Sequence, residues 1–202
     1  MTNVVSIDQS LGKCAWTLWE GGKARESGIL KSGNSKVKGK IKGVTYFDTL
    51  EDQTHYLASE LVKIFLVNNC SIAVFEALSF GSAGNATRDL AQLFGALIER
   101  LMTSGGIVTE DIHKVAPTAL KAFARNFLPE ADQYDGFTKA GKPKLVKMDK
   151  KLMVRAASAA GGDPFLKGLK MSGKDAGLDD AADSFLLGLY YFEKLNGNSK
   201  NL

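Results

Sequence analysis

Short apolar runs broken by glycines and polar pairs fill the start of the chain. Val4-Val5-Ser6-Ile7-Asp8, Ala15-Trp16-Thr17-Leu18-Trp19 and residues 24–31 follow one another across Gln9 to Gly12 and Gly21-Gly22-Lys23. Runs of this length with hairpin punctuation predict strands at 3–9, 13–20 and 24–31 in an antiparallel meander. After residue 44 the period changes. Thr45-Tyr46-Phe47-Asp48 has the form of a capping box, and Phe47, Leu50, Thr54, Leu57, Leu61 and Ile64 recur at helical spacing as far as Asn69. Ser71-Ile72-Ala73-Val74-Phe75-Glu76 is a fourth strand. Reached through a helix, it should run parallel to an earlier strand, and right-handed crossover would bring both C-terminal ends to one sheet edge. Leu90, Leu93, Phe94, Leu97, Ile98 and Leu101 predict a second helix ending before Gly105-Gly106, and Ile107-Val108-Thr109 predicts a fifth strand. Pro117 opens a helix to residue 127, another runs from Leu145 to Ala160, and a last one from Leu178 to Leu195. The expected class is α/β, with a mixed five-stranded sheet (an antiparallel three-stranded meander plus parallel strands) flanked by helices.

Composition adds little to this until charge is mapped. The 202 residues, 45% of them hydrophobic, suffice for one sizeable core, and a single domain over 1–202 is expected. No apolar run reaches transmembrane length and no signal-like segment precedes the first strand, so a soluble cytoplasmic protein is expected. Cys14 and Cys70 lack metal-ligand spacing and fall in strands, and only His55 and His113 occur, which argues against a disulfide scaffold or a zinc enzyme. The net charge of +4 is unevenly spread. Lys31, Lys36, Lys38, Lys40 and Lys42 crowd one Gly/Ser-rich stretch, at and within an insertion at about 32–44, and Lys139, Lys142, Lys144, Lys147, Lys150 and Lys151 crowd another at about 129–151. Two basic insertions suit a polyanion such as nucleic acid, although lysine loops can also be merely well solvated.

The acids are distributed differently. Asp8 ends the first strand, Glu76 ends the first crossover strand, and Asp179, Asp180 and Asp183 open the last helix. Asp180 and Asp183 are three apart, and Asp179 and Asp183 four apart, so at least two acids share one helix face. One acid in a first helical turn favours the macrodipole; three within five residues repel one another and call for a cation. Mg²⁺ suits such a set, being a hard ion that prefers oxygen ligands. Two ions about 4 Å apart can activate water and stabilise the leaving oxygen in phosphodiester hydrolysis. No GxxxxGK[ST] phosphate cradle is present, so a P-loop nucleotide cofactor is not expected.

The Ile7-Asp8-Gln9-Ser10 strand end, Ala73-Val74-Phe75-Glu76 followed by Asn85-Ala86-Thr87-Arg88 and Leu93-Phe94-Gly95, and Asp180-Ala181-Ala182-Asp183-Ser184 resemble the RuvC family of Holliday-junction resolvases, within the ribonuclease H-like nucleases. The resemblance implies paired nicking of four-way or branched DNA by a homodimer, using two Mg²⁺ ions per site, with Mn²⁺ able to substitute. It places catalytic roles on Asp8, Glu76, Asp180 and Asp183, and leaves open which two of Asp179, Asp180 and Asp183 bind metal. Lys121 and Lys147 look like the family's basic residues near the scissile phosphate. Leu78 or Phe80 would present an apolar side chain to the junction. Ser10 would contact phosphate or turn the chain, and Lys36, Lys38, Lys40, Lys42, Lys142, Lys144 and Lys150 would grip the backbone. Other readings are a branched- or flap-DNA nuclease of the same fold, a junction-binding protein without catalysis, and an actin-like ATPase. The last is disfavoured by the missing second glycine-rich phosphate loop.

Overall fold

The computed structural model describes residues 2–78, 84–173 and 175–195. Strands β1 (Asn3–Asp8), β2 (Lys13–Glu20) and β3 (Lys23–Asn34) form the expected antiparallel meander. A short β4 (Thr45–Phe47) lies beside β3 as a sixth strand. Helix α1 (Leu50–Val67) then leads to β5 (Cys70–Glu76), which lies parallel to β1, and helix α2 (Asn85–Thr103) leads to β6 (Ile112–Val115), parallel to β5. The strand order is β4-β3-β2-β1-β5-β6. The fold is thus mixed α/β, and its main sheet has one strand more than expected.

Each departure from the sequence expectation has a local cause. Thr45–Phe47 joins the sheet edge because Gly33 opposite leaves room for the Tyr46 ring, which a Cβ there would approach to 3.1 Å. The helix start falls instead at Thr49, whose hydroxyl accepts the Asp52 N–H at 3.1 Å. The fifth expected strand is displaced from 107–109 to Ile112–Val115. Gly106 takes φ +71, Ile107 drops into the core, and polar His113 and Lys114 carry the ladder that the apolar run suggested for Ile107-Val108. Residues 129–145 contain a two-stranded hairpin, β7 (Tyr134–Phe137) with β8 (Pro143–Leu145). Helix α3 spans Pro117–Arg125. Helix α4 starts at Lys150, not Leu145, because the Asp149 carboxylate accepts the Leu152 N–H at 2.9 Å, and it ends at Ala157. A short α5 (Asp163–Leu166) precedes α6 (Leu178–Tyr190), which continues as a wider turn to residue 195. No helix among the described residues is long and apolar enough to cross a membrane.

Strand alternation sorts the sheet into two packed faces. Val5, Ile7, Leu18, Ala73 and Phe75 meet α1 and α2, while Val4, Trp19 and Val74 meet α3, α4 and α6. By the same alternation Ser6 and Asp8 follow Val4, Glu76 follows Val74, and Lys13 precedes Thr17 and Trp19, so all face α6. That helix is covered nearly all round, with Ala182, Leu186 and Leu187 fully buried and Phe185 5.3 Å from the Trp19 ring. Gly188 makes this approach possible: a Cβ there would lie 2.0 Å from Trp19 Nε1.

Candidate active site

The ladder fixes the first two acids. Ile7 pairs with Phe75, so Asp8 and Glu76 end adjacent parallel strands on the face that α6 covers. Gln9, itself buried, ties these ends together, its Nε2 donating to the Glu76 carbonyl at 2.6 Å. Asp8, Gln9, Glu76, Ala77, Leu78 and Leu90 line a small cleft of about 120 Å³.

A buried uncharged seam sets the position of α6. Ser6 Oγ donates to the Ser184 carbonyl at 2.6 Å, Trp19 Nε1 donates to Ser6 Oγ at 3.0 Å, and the Thr17 and Ser184 hydroxyls bond to each other at 3.0 Å. Ser184 follows Asp183 in the chain, so this seam fixes the register in which Asp179, Asp180 and Asp183 meet the sheet. Each of its bonds joins two groups that would be costly to leave unpaired in the interior.

The result is five carboxyl groups in one electrostatic neighbourhood. Asp183 is pushed up to about 7 by burial, then by Glu76, Asp179 and Asp180, with Lys121 pulling the other way. Asp8 is held well above the usual carboxylate range by burial and then by Asp183, Glu76, Asp180 and Asp179. Glu76 is raised by burial against the pull of Lys121, and Asp180 by burial and Asp179 against the pull of Lys13. Asp179 behaves oppositely. Burial works to raise it, yet the hydrogen-bonded Lys150 ammonium brings it below its ordinary value.

Two lysines are built into this cluster. Lys13 Nζ lies 3.3 Å from Asp180 Oδ2, and Lys150 pairs with the buried Asp179. Lys13 was not among the sequence-predicted site residues. Its signal was the antiparallel register: Asp8 pairs with Ala15, and Lys13 lies two residues back on the same face. Lys150, expected on the DNA backbone, faces an acid instead. Lys121, on α3, is exposed but close enough to act on Glu76 and Asp183. Lys147 is exposed and makes no ion pair with these acids among the described residues.

The other predicted contacts are spread outside the cluster. Ser10 Oγ accepts the Lys13 N–H at 3.0 Å, which closes the β1–β2 turn. Leu78 sits in the cleft wall, packed against the α1/α2 core; Phe80 lies outside the described residues. Lys36, Lys38, Lys40 and Lys42 occupy an exposed loop, with Lys40 Nζ 5.4 Å from the Tyr46 ring centroid. Lys142 and Lys144 project from the β7–β8 hairpin, and Lys144 pairs with Asp135 at 3.2 Å.

The acidic set has the chemistry of a hard-cation site. Asp179 Oδ1 and Asp183 Oδ1 are buried without a hydrogen-bond partner, and the charges of Asp8, Glu76 and Asp183 are mutually unfavourable. As they stand, no three acidic, histidine or cysteine side chains among the described residues converge closely enough to enclose an ion.

No protein-family model matches the sequence, and no curated protein matches it. Similarity emerges in three dimensions. The chain is similar to Thermus thermophilus RuvC, with a TM-score of 0.59 at 10% identity over 98% of this chain and 97% of that one. It is similar to the same organism's RuvC in complex with Holliday junction substrate, with a TM-score of 0.60 at 10% identity over 98% of each chain. The fold is therefore the RuvC type of ribonuclease H-like fold.

Proposed function

We propose that this protein is a divalent-metal-dependent endonuclease that resolves four-way DNA junctions. The observation that carries the proposal is the meeting of Asp8, Glu76 and the Asp179-Asp180-Asp183 cluster from three separate elements on a RuvC-type fold. Carboxylates that raise one another in this way gain most from a bound cation. The similar T. thermophilus RuvC is described with Holliday junction substrate, and the two lysine-rich insertions give this chain charge to match.

Within the site, Asp8, Glu76, Asp180 and Asp183 would hold Mg²⁺ or Mn²⁺. When bound, such ions supply a nucleophilic hydroxide and stabilise the leaving oxygen. Asp179 plays a different part, because it is buried and already neutralised by Lys150, and it fixes the first turn of α6. Lys121, exposed beside the cluster, would offset negative charge building on the scissile phosphate. Gln9 holds the two strand ends at a constant spacing. Ser10 and the lysines of the 32–44 and 129–151 segments would position the DNA backbone without reading bases. Symmetric resolution needs two copies of this site, hence a homodimer.

The test is incubation of labelled four-way junctions, nicked or linear duplexes and flaps with the protein in Mg²⁺ and in Ca²⁺, beside Asp8→Asn. Paired nicks on opposed strands in Mg²⁺, lost in the variant while binding persists, are expected. Equal cutting of linear duplex would remove junction selectivity, and tight binding without cutting in Mg²⁺ or Mn²⁺ would remove the enzyme.

A further inference from the structure

Beside the acidic cluster, on the other flank of Lys13, lies a second cavity. Ile41, Val44 and Tyr46 give it a mostly apolar lining, which Gly12, Lys13 and Lys31 complete on the side of the β1–β2 turn and β3; its volume is about 260 Å³. It is a product of the β4 edge strand and the lysine loop, neither of which contributes a carboxylate to the cluster. Tyr46 is fixed from behind, since its hydroxyl accepts the Ile41 N–H at 2.7 Å and its ring closes over Gly33.

The lining narrows the occupant. A free phosphate would have no use for two aliphatic side chains and an aromatic ring. An apolar peptide side chain would have no use for Lys13 at the border with the acidic cluster, or for Lys40 close above the ring. A nucleotide offers both parts, a flat apolar-faced base and an anionic phosphate. The cavity holds roughly nine waters' worth of space, at about 30 Å³ each, which suits one base and not a base pair. Its position points the same way. Lys13 pairs with Asp180 on one side while its ammonium carries three protons, so the same side chain can reach a phosphate between cluster and cavity.

Resting on the nuclease reading above, we infer that this cavity receives one unpaired base of the cleaved strand, next to the scissile phosphate. The base packs against Tyr46, and its own phosphate lies on Lys13. Taking a base out of the stack costs a few kcal/mol in duplex and least where pairing is already broken. A junction crossover meets that condition, so the pocket favours branched DNA over linear duplex and sets a base preference at one position.

Junctions carrying 2-aminopurine at successive positions around the nick site test this, with binding followed by emission in EDTA. The expected result is a change of emission at one position only. That change should disappear in Tyr46→Ala and weaken in Gly12→Leu, which adds bulk at a lining position where an added Cβ meets no atom within 4 Å, and persist in Tyr46→Phe. Junction affinity should fall on the order of tenfold in Tyr46→Ala, as for loss of one stacked base. Should Tyr46→Ala fail to fold, Gly12→Leu carries the comparison. A uniform response along the strand, or the same response in Gly12→Leu as in the parent, overturns the inference while leaving nicking intact. Failure of the parent protein to bind or nick any DNA overturns the nuclease reading together with it.

Discussion

Replacing Asp183 by Asn should make the metal-free protein more stable, in contrast to the usual effect of altering a half-buried polar residue. The Asp183 carboxyl is raised from its ordinary 3.8 to about 7 by burial, then by Glu76, Asp179 and Asp180. The folded protein therefore keeps this proton to a higher pH than the unfolded chain does. Stability is present at low pH and is lost as pH climbs from about 4 to about 7, after which the loss is constant. At about 1.4 kcal/mol per pH unit the upper bound is about 4 kcal/mol. The carboxyl is partly exposed and water screens part of its charge, so about 2 kcal/mol is expected. For a chain of this size that corresponds to a rise in Tm of ~4–8 °C. Asn removes the charge at nearly constant shape, and Asp183 Oδ1 has no hydrogen bond to forfeit. Thermal melts of parent and Asp183→Asn in EDTA at pH 4.5 and pH 8 provide the assay. The variant should melt near the parent at pH 4.5 and clearly above it at pH 8, and excess Mg²⁺ should raise the parent more than the variant. Equal melting at pH 8, or a lower Tm for the variant there, would refute the claim that repulsion at this carboxylate opposes folding.

Further outcomes follow from neighbouring contacts. Gly188→Ala drives a methyl into Trp19 Nε1 and should cost about 1–3 kcal/mol, read from urea unfolding; an unchanged midpoint would mean that α6 has slack against the sheet. Lys150→Ala leaves Asp179 buried without its cation and should cost about 2 kcal/mol at neutral pH. Adding Asp179→Asn should recover most of that loss, and additive losses in the double variant would count against the pairing. Asp179→Asn should keep more nicking activity than Asp180→Asn, and the reverse order would exchange their assignments. Changing Lys36, Lys38, Lys40 and Lys42 to Ala should flatten the salt dependence of DNA affinity by up to about 3.6 in the log–log slope; an unaltered slope would place this loop off the phosphates.

The meander, the parallel β5 and the convergence of Asp8 and Glu76 were legible in the sequence because they rest on period and on crossover handedness, both local or nearly so. What escaped depended on contacts between distant residues. The β4 strand exists because Gly33, in a different strand, accommodates Tyr46, and by itself Thr45-Tyr46-Phe47 reads equally well as a helix cap. The displaced β6 shows the opposite error: Ile107 is apolar because it fills the core from a turn, and the true strand carries His113 and Lys114. In the site, the acids were legible as a set but their division of labour was not. Lys13 and Lys150 separate Asp180 from Asp179, and neither lysine adjoins its acid in the chain.

This division gives the site a physical logic. The charged groups, Asp179, Asp180 and Asp183, stand on the first two turns of α6, where mutual repulsion works against the helix start. The groups that secure the helix, Ser184, Phe185, Leu186 and Gly188, come directly after them and are uncharged. Hydrogen bonds among neutral groups and apolar packing do not weaken with pH or salt in the way that ion pairs do. The position of α6 on the sheet is thus insulated from the charge state of the acids it carries. Raising pH or withdrawing a cation should alter the first turn of α6 before it alters the docking of the helix. Hydrogen exchange would register this as early opening at Asp179 to Asp183 while amides beyond Ser184 stay protected. The nuclease site proposed above, which would take up and release cations and a polyanion, can then be strained locally without losing the scaffold that aims it.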